Sequence, residues 1–361
     1  MFENKTYKKV EGRNLFKFSS GKFLPIAKRM TSGIPVYGGN GISWYTDETL
    51  VSFDTIVIGR VGAYCGNVML VKGDKWITDN AIYISEFKTK DLKLEFLEKL
   101  MESYDFHSFS DSSAQPKITQ RPLENQLYIV PPIELQEEYI NQIKQIDKSK
   151  FLLQQILEKF ELLKKSRFIE LIGNIQNPKY QLVELNEICE FIKDGTHQTP
   201  IYTEDRVNGF KFLSSKDVTS QKINWSNIKY IPKELHEQLY AKLSPKRGDI
   251  LLAKNGTTGV AAVVDSDEIF DIYVSLALLR PKSGVNVSYL CSALNSEDLK
   301  RQFNSSLKGI GVPNLHLREI KKARIIFPPI DIQNKISSIT KQIDKSKLII
   351  QKALEDLVGK V

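Results

Sequence analysis

The side chains in this chain that could do chemistry are four histidines (His107, His197, His236 and His316), three cysteines (Cys65, Cys189 and Cys291) and abundant carboxylates. A metal centre or an acid–base pair needs several such groups at ligand spacing, and neither the histidines nor the scattered, odd-numbered cysteines stand that way. Nucleotide chemistry needs a phosphate-cradling loop. There is no G-x-x-x-x-G-K-[ST] run, and "YGGNG" and "KNGTTG" lack the spacing and strand-to-helix setting of a dinucleotide fingerprint. What remains is positive charge. Lys and Arg total 51 against 43 Asp and Glu, a formal +8 with a pI near 9.0, an excess that suits a polyanionic partner. The split is uneven: 24 basic and 22 acidic residues precede Asn177, and 27 and 21 follow.

The elements that must position these cations are written twice. "VPPIELQEEYINQIKQIDKSK" from Val130 returns from Phe327 as "FPPIDIQNKISSITKQIDKSK", with Lys144 to Lys150 identical to Lys341 to Lys347. In the same register "NKTYKKV" aligns with "NPKYQLV", and "FDTIVIGRVG" with "RGDILLAKNG". "QPKITQRPL" then aligns with "VPNLHLREI", so Arg60 falls on Lys254 and Arg121 on Arg318. The second globular part carries 24 more residues, the offset growing from 177 against 4 to 328 against 131. A period this long is a whole domain plus a connector and not a solenoid unit. "NPKY" at Asn177 to Tyr180 nearly matches the N-P-P-[YF] loop that grips a flipped base, but Lys179 replaces the second proline and its counterpart is "NKTY", so it reads as linker.

The connectors read as helices with a coiled-coil seam. Leu135, Tyr139, Gln142, Ile146, Ser149, Leu153, Ile156, Phe160 and Leu163 alternate steps of four and three, as do Ile332, Ile336, Ile339, Ile343, Ser346, Ile350, Ala353 and Leu357. Pro131, Pro132, Pro328 and Pro329 suit helix starts, and the first helix is expected over Ile133 to Lys164. The globular parts read as mixed α/β: β-branched runs such as "TIVIGR", "AIYISEF" and "DILLAK" lie between turn residues, and "LEFLEKLMESYDF" and "VSYLCSALNSEDLKRQF" have helical spacing at equivalent places. No run is apolar enough for a membrane span and the start has no apolar secretion signal, which predicts a soluble cytoplasmic protein.

Two diverged domains, each ending in P-P-I-x-x-Q and a long helix, resemble the specificity subunit of type I restriction–modification enzymes over essentially the whole chain. "GIPVYGGNGISWYT", "DGTHQTP", "FKFLSSKDV" and "GDILLAKNGTTG" are similar to the family's target recognition domains. The resemblance implies two α+β target recognition domains, 1–130 and 177–327, separated by two long antiparallel coiled-coil helices, 131–176 (with linker) and 328–361. It implies a non-catalytic DNA-binding subunit reading a bipartite, asymmetric site. The implied partners are double-stranded DNA, two adenine methyltransferase subunits and, where restriction occurs, motor–nuclease subunits. S-adenosylmethionine, ATP and Mg would sit on those partners, with no cofactor or metal on this chain. Two other readings are the recognition portion of a single-chain restriction–methylation enzyme, which would need a fused catalytic domain, and a pseudo-symmetric scaffold that binds protein only.

DNA recognition needs Lys and Arg for phosphates and forked or amide side chains for base edges. On that basis the first-domain candidates are Lys22, Lys28, Arg29, Asn40, Trp44, Tyr45, Arg60, Tyr64, Lys117, Gln120 and Arg121. In the second they are Lys193, Thr196, His197, Gln198, Lys211, Ser214, Ser215, Lys216, Lys254, Asn255, Thr257, Asn314, His316 and Arg318. Arg60/Lys254 and Arg121/Arg318 stand out because a cation recurs at matched positions, a pattern that a shared structural salt bridge would also produce.

Overall fold

The structure, a computed structural model, describes residues 7–110, 116–256, 258–306 and 314–359, and divides into two compact units, Met1–Lys150 and Phe151–Lys360. In the first unit, β1 (Lys8–Glu11) pairs with β9 (Leu127–Val130) beside a four-stranded and a three-stranded sheet. The four-stranded sheet runs β2 (Phe16–Ser20), β8 (Ala81–Phe87), β5 (Thr55–Gly59), β6 (Val68–Val71), with antiparallel neighbours throughout. The three-stranded sheet runs β4 (Gly41–Thr46), β3 (Ile34–Gly38), β7 (Trp76–Ile77), antiparallel then parallel.

The run "TIVIG" makes β5 a strand buried on both faces. Because side chains alternate along a strand, Ile56 and Ile58 enter the core under the helix Leu94–Glu102, with Phe96, Leu97 and Met101. Val57 enters a second core on the other face, with Val51, Val71, Ile77 and Ala81. The unit is therefore layered, with helix, large sheet and small sheet.

The second unit repeats every pairing. Its four-stranded sheet is ordered Cys189–Asp194, Leu276–Pro281, Ile250–Ala253, Ala261–Val263, and its three-stranded sheet Lys229–Ile231, Phe210–Leu213, Phe270–Ile272. Leu182–Glu184 pairs with Arg324–Ile326. Again the central strand alternates, with Ile250 and Leu252 in one core and Leu251 and Ala253 in the other. The added residues fall mainly on the small sheet: where Gly39 and Asn40 turn β3 into β4, the second unit inserts 214–228, and a helix, Lys233–Tyr240, follows.

The first long helix spans Ile133–Ile172 and the second Ile330–Val358. The first continues past Lys164 because nothing breaks it before Gly173, whose φ is +80°. Its last turns are anchored by Phe168 stacked on Tyr289 at 6.0 Å and by buried Ile172. Within the second unit the two helices run antiparallel: Lys347 pairs with Glu161, and Lys164 Nζ lies 3.3 Å from Asp344, so one number rises as the other falls.

The seam is only partly the expected one. In the second helix Ile336 and Ile343 are buried and Ile332, Ile339, Ile350 and Leu357 half-buried. In the first, Leu135, Tyr139, Ile146, Leu153 and Phe160 are half-buried, whereas Ile156 and Leu163 are 38% and 42% exposed, and Ile140 and Ile143 are buried in their place. A straight helix drifts about 20° per heptad from a strict 3.5-residue repeat. The first turns also pack on their own domain, Tyr139 edge-on to Phe96 at 5.8 Å and Ile140 in that core.

Each helix root holds a buried glutamine. Gln136, with no exposed surface, accepts from the Lys93 amide (2.9 Å) and donates to the carbonyls of Asp91 (2.6 Å) and Pro131 (2.8 Å). Gln333, 1% exposed, accepts from the Asn286 amide (2.9 Å) and donates to the Pro328 carbonyl (2.8 Å). Replacing either by Leu keeps the volume and orphans a buried backbone amide, at about 1–3 kcal/mol per orphaned group. Both Gln136→Leu and Gln333→Leu should lower the urea midpoint; an unchanged midpoint in both would show that the clasp contributes no stability.

Candidate nucleic-acid interface

In the first unit the candidates fall into two groups, one where the loop after β2 meets the small sheet and one around the Arg60–Tyr64 loop. The loop after β2 is tied to the small sheet by Trp76 Nε1 donating to the Lys22 carbonyl (2.9 Å) and by paired backbone bonds between Met30 and Tyr45 (2.8 and 3.1 Å). Lys22 and Lys28 are exposed, Lys28 meets Glu48 at 2.5 Å, and the Arg29 guanidinium lies 3.8 Å over the Trp44 ring. Asn40 sits exposed in the β3–β4 turn. That turn abuts the Arg60–Tyr64 loop closely enough that a Cβ on Gly39 would come within 3.3 Å of Gly59 Cα and 3.8 Å of Tyr64 Cβ.

The Arg60–Tyr64 loop in turn holds the segment that carries Lys117, Gln120 and Arg121. Ile118 N donates to the Arg60 carbonyl and Gly62 N to that of Pro116, both at 2.9 Å, and Gln120 reaches Ser20 Oγ at 3.4 Å. Arg60 is half-buried, with Nη1 3.3 Å from the Asp79 carbonyl, while Arg121 is exposed. Asn67, which sequence reasoning passed over, is exposed here and donates to the Gly39 carbonyl at 3.2 Å. Its signal was only the turn it supports.

In the second unit Thr196, Ser215, Lys254, Asn255 and Asn314 converge around Asp194 and Ser275. Thr196 N donates to the Ile272 carbonyl (3.1 Å), Ser215 N to Ser275 Oγ (3.0 Å) and Lys254 N to the Ser275 carbonyl (2.8 Å), and Asn255 bridges Asn314. Ser214 caps the following turn through Asp217 (3.1 Å), leaving Lys216 exposed. Lys193 is exposed on the edge strand Cys189–Asp194 and His197 and Gln198 on the loop that follows it, as are His316 and Arg318 where the helix Leu317–Lys322 begins. Lys211 lies on the small sheet, paired with Glu268 at 2.5 Å, beside an open cavity of about 760 Å³. Thr257 lies outside the described residues.

Lys254 corrects the expectation of a surface cation. It is 5% exposed, and its ammonium is held by Asp194 at 2.8 Å, with His197 3.4 Å from the same carboxylate. The equivalence with Arg60 is thus structural on the second side. Arg121 and Arg318 differ: both are exposed, and among the described residues neither enters an ion pair.

The remaining reactive types are occupied structurally. His236 is buried, stacked on Phe210 at 3.7 Å and bonded to Asp271 (2.7 Å), whose carboxyl burial pushes up against the opposing pull of His236. Burial pushes the Cys189 and Cys291 thiols up to about 12, the opposite of an activated nucleophile. Among the described residues no His, Cys, Asp and Glu group could hold a metal ion, and no helix is long and apolar enough to cross a membrane.

Removing Lys254 should therefore register as a folding defect. Lys254→Met leaves the largely buried Asp194 with only His197, at 3.4 Å, beside it and should cost roughly 2–4 kcal/mol in urea unfolding, much of it recovered in Lys254→Met/Asp194→Leu. A variant with wild-type stability and weakened DNA binding would instead place Lys254 on the nucleic acid.

The model of the type I restriction modification DNA specificity domain matches the chain twice, over residues 4–162 and 177–358. A type I restriction enzyme specificity subunit of Escherichia coli, EcoprrI, is 31% identical over 102 residues, which is 28% of this chain and 25% of that protein. A putative type I restriction enzyme specificity subunit of Haemophilus influenzae is 23% identical over 340 residues, 91% of this chain and 84% of that one. A solved chain from a study of complex assembly and conformational transition in a type I R-M system superposes with a TM-score of 0.68 at 16% identity, covering 98% and 95%.

Proposed function

Since this chain belongs to the type I restriction modification DNA specificity family, with two copies of the domain in one polypeptide, we propose that it reads a two-part, asymmetric DNA sequence. Each globular domain reads one half and thereby directs adenine methylation and restriction by partner subunits. The observation that carries this is the exact repetition of sheet order and helix root around loops of different length and composition. A shared frame with divergent loops is what two independent readers require. The chain is the recognition subunit and not the catalyst.

The functional boundaries we assign are 1–130 and 177–327 for the readers, with 131–176 and 328–361 as the helical connector. Arg121 and Arg318 supply phosphate contacts, and Asn40, Gln120, Gln198 and Asn314 are amides suited to base edges. The identical "KQIDKSK" segments, most of whose residues are exposed in both copies, fit one kind of partner bound twice, namely two methyltransferase subunits. Exposed Phe151, Leu162 and Ile169 on the first helix and Leu348 and Ile349 on the second supply the apolar area such docking needs. Those subunits, with a motor–nuclease where restriction occurs, bring S-adenosylmethionine, ATP and Mg, and the setting is the cytoplasm.

Exchanging residues 1–129 for the equivalent part of a relative should change one half-site in the methylome of a host carrying the chimera and its methyltransferase. Both halves changing together would refute independent readers. Arg121→Ala and Arg318→Ala should each weaken DNA binding similarly across sequences, with a salt slope shallower by about one. Equal affinity with lowered thermal stability would return them to the framework.

The helices also set the distance between half-sites. Four residues inserted after Lys150 add about 6 Å and about 40° of rotation, against about 3.4 Å per base pair. Methylome sequencing should show both half-sites unchanged and the unread spacer longer by one or two base pairs. An unaltered spacer in an active variant would end the ruler reading.

A further inference from the structure

Phe23 and Ile26, 63% and 75% exposed, are the most exposed large apolar side chains described in the first unit, and Ile201 and Val207, 82% and 91%, are those of the second. Single exposed apolar residues are ordinary. Here both pairs occupy the same loop, the one that leaves the edge strand of the four-stranded sheet, β2 in one unit and Cys189–Asp194 in the other. Loops that share so little sequence have no framework reason to keep apolar tips in water.

The first loop is held rigidly beneath its tips. Leu24 is buried, and Trp76 and Tyr45 fix the backbone on either side. Between Gly21 and Gly33 its charges are Lys22, Lys28 and Arg29, with no acid. In the second loop Tyr202, beside Ile201, carries the Lys229 ammonium 4.0 Å above its ring, and the Val207 amide is bound by Asp205 at 2.9 Å. Glu204 and Asp205 outnumber Arg206, so this loop is itself net acidic, and the cations near its tips are Arg206 within it and Lys229 from the small sheet.

Resting on the DNA-reading function above, we propose that these loops are apolar wedges. Phe23 with Ile26, and Ile201 with Val207, enter the duplex at one base step in each half-site and partly unstack it, while the cations around each loop take the adjoining phosphates. Apolar side chains inserted between base steps kink DNA and widen the protein surface that it can touch. A polyanion with an apolar interior matches an apolar tip set among cations, as the first loop presents it. A protein partner would be met by a contiguous apolar patch of several hundred Å² instead of two isolated tips.

The test uses the assembled methyltransferase complex and duplexes of its methylome-defined target, with 2-aminopurine placed in turn at half-site positions other than the methylated adenine. The wild type should raise the fluorescence at one step in each half. Phe23→Ser/Ile26→Ser should abolish the rise in the first half only and raise Kd about tenfold or more. Ile201→Ser/Val207→Ser should do so in the second half with a smaller loss, and Phe23→Leu/Ile26→Leu should retain the signal. Serine variants with wild-type fluorescence and affinity overturn the wedges, as do serine variants that bind the duplex normally but lose their methyltransferase subunits, which would make the loops protein contacts. A wild-type complex without sequence-specific binding would instead remove the DNA-reading function itself.

Discussion

A fully buried amide at the root of each long helix is the constraint on which the rest depends. Gln136 and Gln333 each lie one turn inside a helix that a double proline begins, and each ties that turn to the loop that opens the domain's own helix, at Lys93 and at Asn286. Hydrophobic packing alone would hold the helix against the domain but tolerate rotation and sliding, because apolar contact has little directional preference. A satisfied amide in a low-dielectric site is directional, and a misaligned one leaves buried polar groups unpaired. The first helix is 40 residues long, about 60 Å. A small angular error at its root would become a large displacement at its far end, so the root is where fixing the direction matters most.

The two sheets separate that framework from what varies. In both units a strand buried on both faces shares its residues between two cores, so neither β5 nor Ile250–Ala253 tolerates a register slip. The edges and turns carry no such constraint. The same three-stranded sheet thus accepts a two-residue turn at Gly39 and Asn40 in one copy and the insertion 214–228 in the other, where Val218 and Ile228 extend the core beneath while the strand order is kept. Sequence can diverge at the loops while the glutamine contacts at the helix roots recur.

Much of this was legible in the sequence because it rests on local patterns. Identical letters at Lys144 to Lys150 and Lys341 to Lys347 exposed the duplication, the proline pairs marked the helix starts, and "TIVIGR" and "DILLAK" read as strands. What was not legible depended on tertiary placement. A heptad stripe predicted Ile156 in the seam, but packing of Tyr139 and Ile140 on their own domain sets the helix's rotation first, and Ile156 emerges exposed. Lys254, matched to Arg60, suited either a DNA contact or a structural salt bridge, and only the fold brings Asp194 beside it from 60 residues away. The glutamine of P-P-I-x-x-Q was visible as a motif, yet its role needed the amide of a residue more than 40 positions distant. The apolar loop tips were missed because exposure, and not residue type, singles them out.

The pairing of the helices divides register from strength. Lys164–Asp344 and Lys347–Glu161 are at least partly solvent-exposed ion pairs, and each contributes about 0–1 kcal/mol, screened further by salt. Burial of Ile336 and Ile343 stabilises more, since an aliphatic side chain removed from water contributes about 1.5–3 kcal/mol. The charges nevertheless discriminate. In the opposite direction, or one turn out of register, Lys164 would face Lys347 or Lys345 as readily as Asp344, and like charges at contact destabilise by similar amounts. The apolar seam makes the helices associate, and the charges at Glu161, Lys164, Asp344 and Lys347 select which association forms.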